Sequence, residues 1–233
     1  APLKQVLTGG EVVSPIHMER AMREFPRLEI CNLYGPTECT TFTTLHSVSL
    51  EDLVGGAAVP IGWPLATFST VVVDGDSNVL PAGQVGELLV AGGAVCLGYL
   101  DPEMDEGAFW FSDSGKRYYR TGDLVRQEED GSFHFVGRAD RQIKIRGFRV
   151  EPAEVERRLL DLDSVRRCAV SGVHNGLTRE LVAYVVPLDS KTESLEIAKS
   201  LSQLIPSYLV PSRIAMVKEL PRKPSGKIDW SEF

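Results

Sequence analysis

The feature that most constrains the fold is a change in the spacing of apolar residues near residue 138. From residue 61 to residue 136, short apolar runs alternate with polar residues and turn signals, which is typical of antiparallel strands. After residue 138 the pattern predicts the order hairpin, helix, strand, strand, helix, strand, which is typical of a small α+β domain. We therefore expect two domains, residues 1–139 and 140–233, with the boundary near Arg138–Asp140.

The first part of the chain carries a strand, helix, strand pattern of α/β character. Lys4–Leu7 predicts a buried strand running into a Gly-Gly turn, and Ser14-Pro15 is a typical helix start with a capping hydroxyl. Leu28–Leu33 predicts the second strand. Domains seldom begin at a core strand, because chain termini normally lie exposed. We expect the chain to be a fragment, with further sequence upstream.

The remaining elements complete an α/β plus α+β fold. The strands expected between residues 61 and 136 form a β-barrel-like subdomain, with Asp130-Gly131 as the turn of one hairpin. In the small domain, a second hairpin is centred on Arg146-Gly147 and one helix begins at Pro152. A capping box of Ser190 and Glu193 predicts the start of the other helix.

Composition excludes several classes of protein. A hydrophobic content of 43% with 24% charged residues is that of an ordinary globular chain. The formal charge of -7 argues against nucleic-acid binding, which depends on excess Lys and Arg, and no apolar run is long enough to span a membrane. The cysteines are scattered, without metal-ligand spacing, and predict reduced thiols in a cytoplasmic protein: Cys31, Cys39, Cys96 and Cys168.

Two clusters in the first predicted domain carry groups that suit a nucleotide. The run Asn32–Glu38 ends a strand and offers an aromatic ring, a tight turn, a hydroxyl and a carboxylate. Such groups can stack on a base, contact phosphate and bind Mg²⁺. In the run Tyr119–Leu124, Asp123 follows a glycine and could accept hydrogen bonds from both ribose hydroxyls. Taken alone, each cluster is equally typical of a structural turn.

Two further clusters lie in or beside the second predicted domain. Residues 137–151 alternate charged and apolar side chains, a pattern also common in solvated edge strands. Near the end, Gly226-Lys227 places a lysine on a loop, and by itself it indicates only a surface lysine. It is not a phosphate-binding Walker A loop, because Pro221 and Ile228 stand where that motif needs Gly and Ser or Thr.

Together, these clusters and two more occur in the order and approximate spacing of the core motifs of adenylate-forming enzymes. The additional motifs are Gly86–Leu100 and Leu204–Pro211. Over essentially its whole length the chain resembles adenylation domains of nonribosomal peptide synthetases, within the superfamily that includes acyl-CoA synthetases and luciferases. The resemblance implies the C-terminal portion of the large core domain in residues 1–139, followed by a small lid domain in residues 140–233.

The resemblance assigns an adenylate-binding role to one set of residues. Tyr34 would stack on adenine, Thr37 would contact the α-phosphate and Glu38 would bind Mg²⁺. Asp123 would bind the ribose hydroxyls with help from Arg138. The same resemblance places the turns at Gly9, Gly10 and Gly35 against the adenylate.

A second set of residues would serve domain movement and the second half-reaction. The resemblance implies that Asp140 is the hinge and that Lys227 is the catalytic lysine of adenylation. Gly147 would line the tunnel for the carrier thiol. The side-chain pocket would be lined by Leu7, Gly9, Leu33, Thr41 and Phe42. These residues leave little volume and no charge partner, so we expect a small or modest uncharged amino acid as substrate.

The implied activity is ATP-dependent activation of an amino acid as its aminoacyl-adenylate, with release of pyrophosphate. The amino acid then moves to the phosphopantetheine thiol of a carrier protein in cis or in trans. ATP and Mg²⁺ are the expected cofactors. The missing N-terminal half of the domain is an expected partner, without which the fragment would be inactive, and the family also allows a small helper protein.

Two alternatives remain from the sequence. One is another adenylate-forming ligase, such as an aryl-, D-alanine-carrier or acyl-CoA ligase. The sequence Glu151-Pro152-Ala153-Glu154 keeps this option open, because the same form occurs in acyl-CoA synthetases. The other is a noncatalytic docking module with the same fold, against which the presence of Glu38, Asp123 and Lys227 argues.

Overall fold

The computed structural model describes residues 3–56, 58–175, 178–189, 191–223 and 228–232. The chain divides into two compact units, Ala1–Asp140 and Arg141–Phe233, and both combine helices with strands. This agrees with the predicted mixture of α/β and α+β structure. Within the described ranges, no helix is both long enough and apolar enough to cross a membrane.

The first unit is built mainly from strands. Its described elements are β1 (Gln5–Gly9), α1 (Pro15–Glu24), β2 (Glu29–Tyr34), β3 (Thr44–Ser47), β4 (Trp63–Pro64), β5 (Phe68–Val73), β6 (Val85–Gly92), β7 (Phe109–Phe111), β8 (Arg117–Gln127) and β9 (Phe133–Arg138). Strands β1 to β4 form one sheet in chain order, with β1 parallel to β2. A second sheet has the order β5-β6-β8-β7, and β9 also pairs with β8.

The start of the first sheet corrects two expectations. Strand β1 is not buried as predicted: among the described residues it pairs only with β2, and Leu7 is 54% exposed. Ser14 does precede α1, but its hydroxyl lies 2.9 Å from Nδ1 of His17 and makes no cap bond to the backbone. The helix is held to the sheet by its apolar face, where Met18 packs with Ile30 and Val48.

The second sheet surrounds the larger apolar core of this unit. The Asp130-Gly131 hairpin is confirmed, because β8 and β9 pair antiparallel on either side of it. Phe133, with no exposed surface, lies in the core beside residues from both sheets, which include Tyr34, Ile61, Leu88, Val90, Tyr119 and Val125. This core therefore ties the end of β2 to the strands that carry Asp123 and Arg138.

The second unit follows the predicted order of elements. They are β10 (Ile143–Ile145), β11 (Phe148–Val150), α2 (Pro152–Leu160), β12 (Val165–Asn175), β13 (Thr178–Pro187), α3 (Ser194–Ser202) and β14 (Arg213–Met216). Strands β12, β13 and β14 form one sheet, and β10 and β11 form the predicted hairpin. Helices α2 and α3 contribute four buried residues to the apolar core of the second unit: Val155, Leu159, Ile197 and Leu201.

The predicted capping box of the second unit is wrong. Helix α3 begins at Ser194 with Glu193 as its N-cap, and the Glu193 side chain makes no cap bond. Ser190, the other half of the expected box, lies outside the described residues. Leu195, predicted to lie on the apolar face of this helix, is 60% exposed, and Ile197 is buried instead.

Candidate functional site

The carboxyl ends of β1 and β2 bring two predicted site residues side by side. Gly9 pairs with Leu33 in the parallel ladder. A Cβ atom on Gly9 would lie 2.1 Å from the carbonyl oxygen of Leu33, far inside van der Waals contact. Only glycine allows this approach, because any side chain would push the two strand ends apart.

We predict that Gly9→Ala will lower the free energy of unfolding by about 2 kcal/mol, because the backbone of Leu33 cannot yield as a flexible side chain could. The measurement is urea unfolding of the full-length protein, followed by a probe of the first unit. Gly93→Ala is the matched control, since no atom lies within 4 Å of its added Cβ. Equal losses in the two variants would contradict the prediction.

The turn after β2 packs against the segment that carries the rest of the predicted pocket. A Cβ on Gly35 would lie 2.6 Å from the carbonyl oxygen of Thr41 and 2.8 Å from Cα of Phe42. The structure therefore places Gly9 beside Leu33, and Gly35 beside Thr41 and Phe42. Leu33 is buried, Phe42 is half-buried and Thr41 is exposed.

A buried chain of polar side chains joins this turn to β8 and β9. The Tyr34 hydroxyl donates a 2.5 Å hydrogen bond to Oδ2 of Asp123. Arg138, opposite Asp123 in the β8–β9 ladder, donates from Nη1 to Oδ1 at 2.7 Å. The same guanidinium binds both carboxylate oxygens of Asp140, at 2.7 and 2.6 Å. Three residues singled out from the sequence thus form one network with the predicted hinge residue.

Burial and charge set the protonation states in this network. The pKa of Tyr34 is well above its ordinary value, first because the phenol is buried and then because Asp123 is negatively charged. Burial lowers the pKa of Arg138, but the hydrogen bonds and charges of Asp140 and Asp123 outweigh that effect and raise it. Tyr34 therefore remains a donor and Arg138 remains a cation.

The local sequence around Asp123 explains how a carboxylate that is 3% exposed is held there. The Thr121 hydroxyl accepts a hydrogen bond from the Asp123 backbone N–H at 3.0 Å and donates to the Leu88 carbonyl at 2.7 Å. Ala139 N–H donates to the Gly122 carbonyl at 2.8 Å. These bonds satisfy backbone and side-chain groups that would otherwise be costly to bury.

Glu38, the predicted metal ligand, lies on a short 3-10 turn, Thr37–Cys39, directly after Gly35-Pro36. It is 8% exposed, and its Oε1 accepts a 2.6 Å hydrogen bond from the Tyr99 hydroxyl. The described residues hold no group of three or more His, Cys, Asp or Glu side chains suited to a metal. A single carboxylate fits Mg²⁺, which is commonly held by one or two carboxylates together with substrate phosphates and water.

Of the other predicted site residues, the structure describes Gly10, Thr37 and Gly147, each at a separate turn of the chain. Gly10 has a φ of +88° and would meet no atom with an added Cβ. Thr37 is exposed at the start of its turn. Gly147, with a φ of +79°, lies at the tip of the β10–β11 hairpin in the second unit. Lys227 lies outside the described residues.

Sequence reasoning missed the supporting residues of the site. Tyr99 lies in the motif Gly86–Leu100, which carries no predicted site residue, and nothing in its spacing indicates a bond to a residue 61 positions earlier. Thr121 directly precedes Gly122-Asp123, and this proximity to Asp123 is the signal in the sequence that could have indicated its role.

Comparison with known proteins identifies two family matches along the chain. The model described as AMP-binding enzyme matches residues 1–100, and the model described as AMP-binding enzyme C-terminal domain matches residues 154–227. The chain is 41% identical to the nonribosomal peptide synthetase asaC of Aspergillus flavus, over 97% of this chain and 23% of that protein.

Two further proteins are similar along nearly the whole chain. The L-allo-isoleucine:holo-[CmaA peptidyl-carrier protein] ligase of Pseudomonas savastanoi pv. glycinea is 38% identical over 97% of this chain and 38% of its own length. The solved structure of holo-PA1221, an NRPS protein containing adenylation and PCP domains, superposes with a TM-score of 0.84 at 30% identity, over 99% of this chain and 40% of that one. This chain therefore spans less than half the length of each of these proteins.

Proposed function

We propose that this chain is part of an adenylation domain that activates an amino acid with ATP. The proposal proceeds from the family to which the chain belongs, that of AMP-binding enzymes. The product would be an aminoacyl-adenylate, with pyrophosphate as the leaving group. The observation that carries the proposal is the buried network in which Asp123 accepts hydrogen bonds from Tyr34 and Arg138. The named relatives, which include a synthetase and an amino-acid ligase, support the same activity.

In this proposal the network binds the nucleoside. A carboxylate oxygen has more than one lone pair, so Asp123 can accept from the vicinal hydroxyls of a ribose while it keeps its protein partners. Arg138 pairs with the Asp123 carboxylate and adds positive charge next to phosphate oxygens. Tyr34 is 6% exposed, so we propose that it presents only a small part of its ring to the adenine base.

Glu38 is the residue that we propose to hold Mg²⁺. When bound, the ion would stabilise negative charge on the phosphate oxygens during attack by the substrate carboxylate. Thr37, exposed beside it at the start of the turn, is proposed to donate from its hydroxyl to the α-phosphate. The chain itself would orient the Glu38 carboxylate and the Thr37 hydroxyl, which lie on one short turn.

Lys227 is proposed to supply a second positive charge during adenylate formation. A cation close to the attacked phosphorus lowers the barrier, because negative charge grows on the nonbridging oxygens in the transition state. We propose that the second unit carries this lysine toward and away from the site by rotation about Asp140. Lys227 would then act in the first half-reaction and be withdrawn for the second.

The second half-reaction is proposed to transfer the amino acid to a phosphopantetheine thiol on a carrier protein. The thiol attacks the acyl carbon of the adenylate, a thioester bond forms, and AMP leaves. Gly147 at the hairpin tip is proposed to leave room for the extended pantetheine arm. Two similar proteins support a carrier partner by their names: the Pseudomonas savastanoi protein is a ligase of a peptidyl-carrier protein, and holo-PA1221 contains a PCP domain.

We predict that ATP–pyrophosphate exchange in the full-length protein will favour a small or modest uncharged amino acid. The physical reason is that Leu33 and Phe42 fill the proposed pocket with apolar volume, and Thr41 provides no charge partner for a charged side chain. The assay compares the twenty amino acids under one set of conditions. Exchange that is fastest with Lys, Asp or Glu would contradict this assignment of the pocket.

The same assay separates the proposal from its alternatives. Exchange with aryl, fatty or other carboxylic acids, and none with amino acids, would indicate a different adenylate-forming ligase. Absence of exchange with every acid, in a protein that is folded and supplied with any upstream half and a helper protein, would indicate a noncatalytic docking module.

A further inference from the structure

We propose that Tyr99 is a positioning residue, which holds the Glu38 carboxylate in the orientation that a divalent cation needs. This inference rests on the proposed function, because it takes Glu38 to be the metal-binding carboxylate. What it adds is a specific residue, on a separate loop, whose hydroxyl determines how that carboxylate points.

Three hydrogen bonds fasten residues 94–99 to the turn that carries Glu38. The Tyr99 hydroxyl donates to Oε1 of Glu38 at 2.6 Å. The backbone N–H of Cys96 donates to the backbone carbonyl of Glu38 at 2.7 Å. The Thr40 hydroxyl donates to the Ala94 carbonyl at 2.8 Å. The backbone and the side chain of Glu38 are therefore held by the same neighbouring segment.

This fastening holds a turn that is strained on its own. Thr40 closes the turn with a φ of +74°, a conformation that β-branched residues rarely adopt. Such geometry persists only where the surrounding structure imposes it. The bonds from residues 94–99 meet the turn at Glu38 and at Thr40 and so help to impose this geometry.

Tyr99 is itself fixed from the opposite side. Its backbone N–H donates to Oδ1 of Asp105 at 2.8 Å, and its hydroxyl lies 3.4 Å from that of Tyr119. The preceding residues are anchored by Arg117, whose guanidinium donates to the carbonyls of Cys96 and Leu97 at 2.9 and 2.8 Å. That guanidinium also lies over the ring of Phe109, 3.7 Å from its centre.

The chemistry of the phenol suits a permanent donor. A phenol carries a single O–H donor, and in Tyr99 that donor is directed at Oε1 of Glu38. A donor on Oε1 restricts rotation of the carboxylate and leaves further lone pairs for an ion. Residues that orient a metal ligand in this way commonly affect metal affinity as strongly as a ligand contact does.

The experiment measures Mn²⁺ binding to the full-length protein in the presence of ATP, by the loss of the free Mn²⁺ signal in electron paramagnetic resonance. We expect Tyr99→Phe to weaken Mn²⁺ binding about tenfold. Its affinity for ATP in EDTA should stay within about twofold of the parent. Thr40→Val, which removes the bond to Ala94 without changing the size of the side chain, should also weaken Mn²⁺ binding.

Two further variants complete the design. Glu38→Gln should lose Mn²⁺ affinity, and Tyr99→Phe added to it should change that affinity by no more than about twofold, because the two residues act through one carboxylate. Tyr118→Phe is the matched control: Tyr118 is buried on β8 against Trp110, and in the described part of the chain its hydroxyl makes no bond to Glu38.

The outcomes separate the two levels of the proposal. If Glu38→Gln binds Mn²⁺ and ATP as the parent does, the metal assignment in the proposed function is wrong and the positioning role falls with it. If Glu38→Gln loses affinity and Tyr99→Phe does not, the positioning role alone is wrong. A loss of ATP affinity in EDTA that matches the loss of Mn²⁺ affinity would show a general structural role and would also overturn the inference.

Discussion

Replacing Asp123 by Asn is expected to lower kcat/KM for ATP by about 10² or more. In the proposed function the two ribose hydroxyls donate to this charged group, and each such hydrogen bond is worth about 1.5–3 kcal/mol. The amide nitrogen that replaces one carboxylate oxygen cannot accept, so it must face either the Tyr34 hydroxyl or the Arg138 guanidinium. Steady-state exchange kinetics at varied ATP concentration test this expectation.

The same substitution should also destabilise the fold by about 3 kcal/mol, because it leaves the Arg138 cation without its most buried anionic partner. The side chains of this pair are 12% and 4% exposed. Glu128→Gln is a suitable control in the turn that joins β8 to β9: its partner Arg126 is 45% exposed, and exposed pairs contribute at most about 1 kcal/mol. A stable Asp123→Asn protein with unchanged kinetics would show that Asp123 does not bind nucleotide.

Replacing Lys227 by Ala is expected to reduce ATP–pyrophosphate exchange by about 10²–10³, the usual loss when one donor that stabilises transition-state charge is removed. Transfer from a preformed aminoacyl-adenylate to the carrier thiol should be far less affected. In that step the leaving phosphate needs less stabilisation, because AMP departs as an already ionised group.

The measurement pairs the exchange assay with a single-turnover transfer assay on the same protein. Lys223→Ala serves as the control, since Lys223 is an exposed lysine on the same part of the chain. An equal loss in both assays would contradict a division of labour between Lys227 and the rest of the site. A loss in the control as large as in Lys227→Ala would point to a general charge effect.

Much of the fold was predictable because local patterns determine it. Period-two apolar runs and the Asp130-Gly131 turn predict β8 and β9 correctly, since a hairpin needs only neighbouring residues and a suitable turn. Helix α2 was predicted for the same reason, from Pro152 and the apolar spacing that follows it. The errors are of two kinds, one at a sheet edge and one at helix caps: β1 is exposed, Ser14 makes no cap bond, and α3 begins at Ser194.

Both errors have a physical explanation. An edge strand and a core strand can share one sequence pattern, because exposure depends on which strands pair on either side. Local helix signals are a weak prior that the tertiary context overrides. Here, α3 begins at Ser194, and its residues Ile197 and Leu201 lie in the apolar core of the second unit.

The run Asn32–Glu38 and Asp123 could be picked out from sequence alone, because their residue types suit a nucleotide. The sequence by itself determined these groups, the order of elements and the resemblance that joins them. Only the tertiary structure decided that Tyr34, Asp123 and Arg138 form one buried network, and that Tyr99 is bonded to Glu38. Arg138 meets Asp123 because β8 pairs with β9. Tyr34 and Tyr99 contact partners that lie 89 and 61 positions away, and no local spacing in the sequence records such contacts.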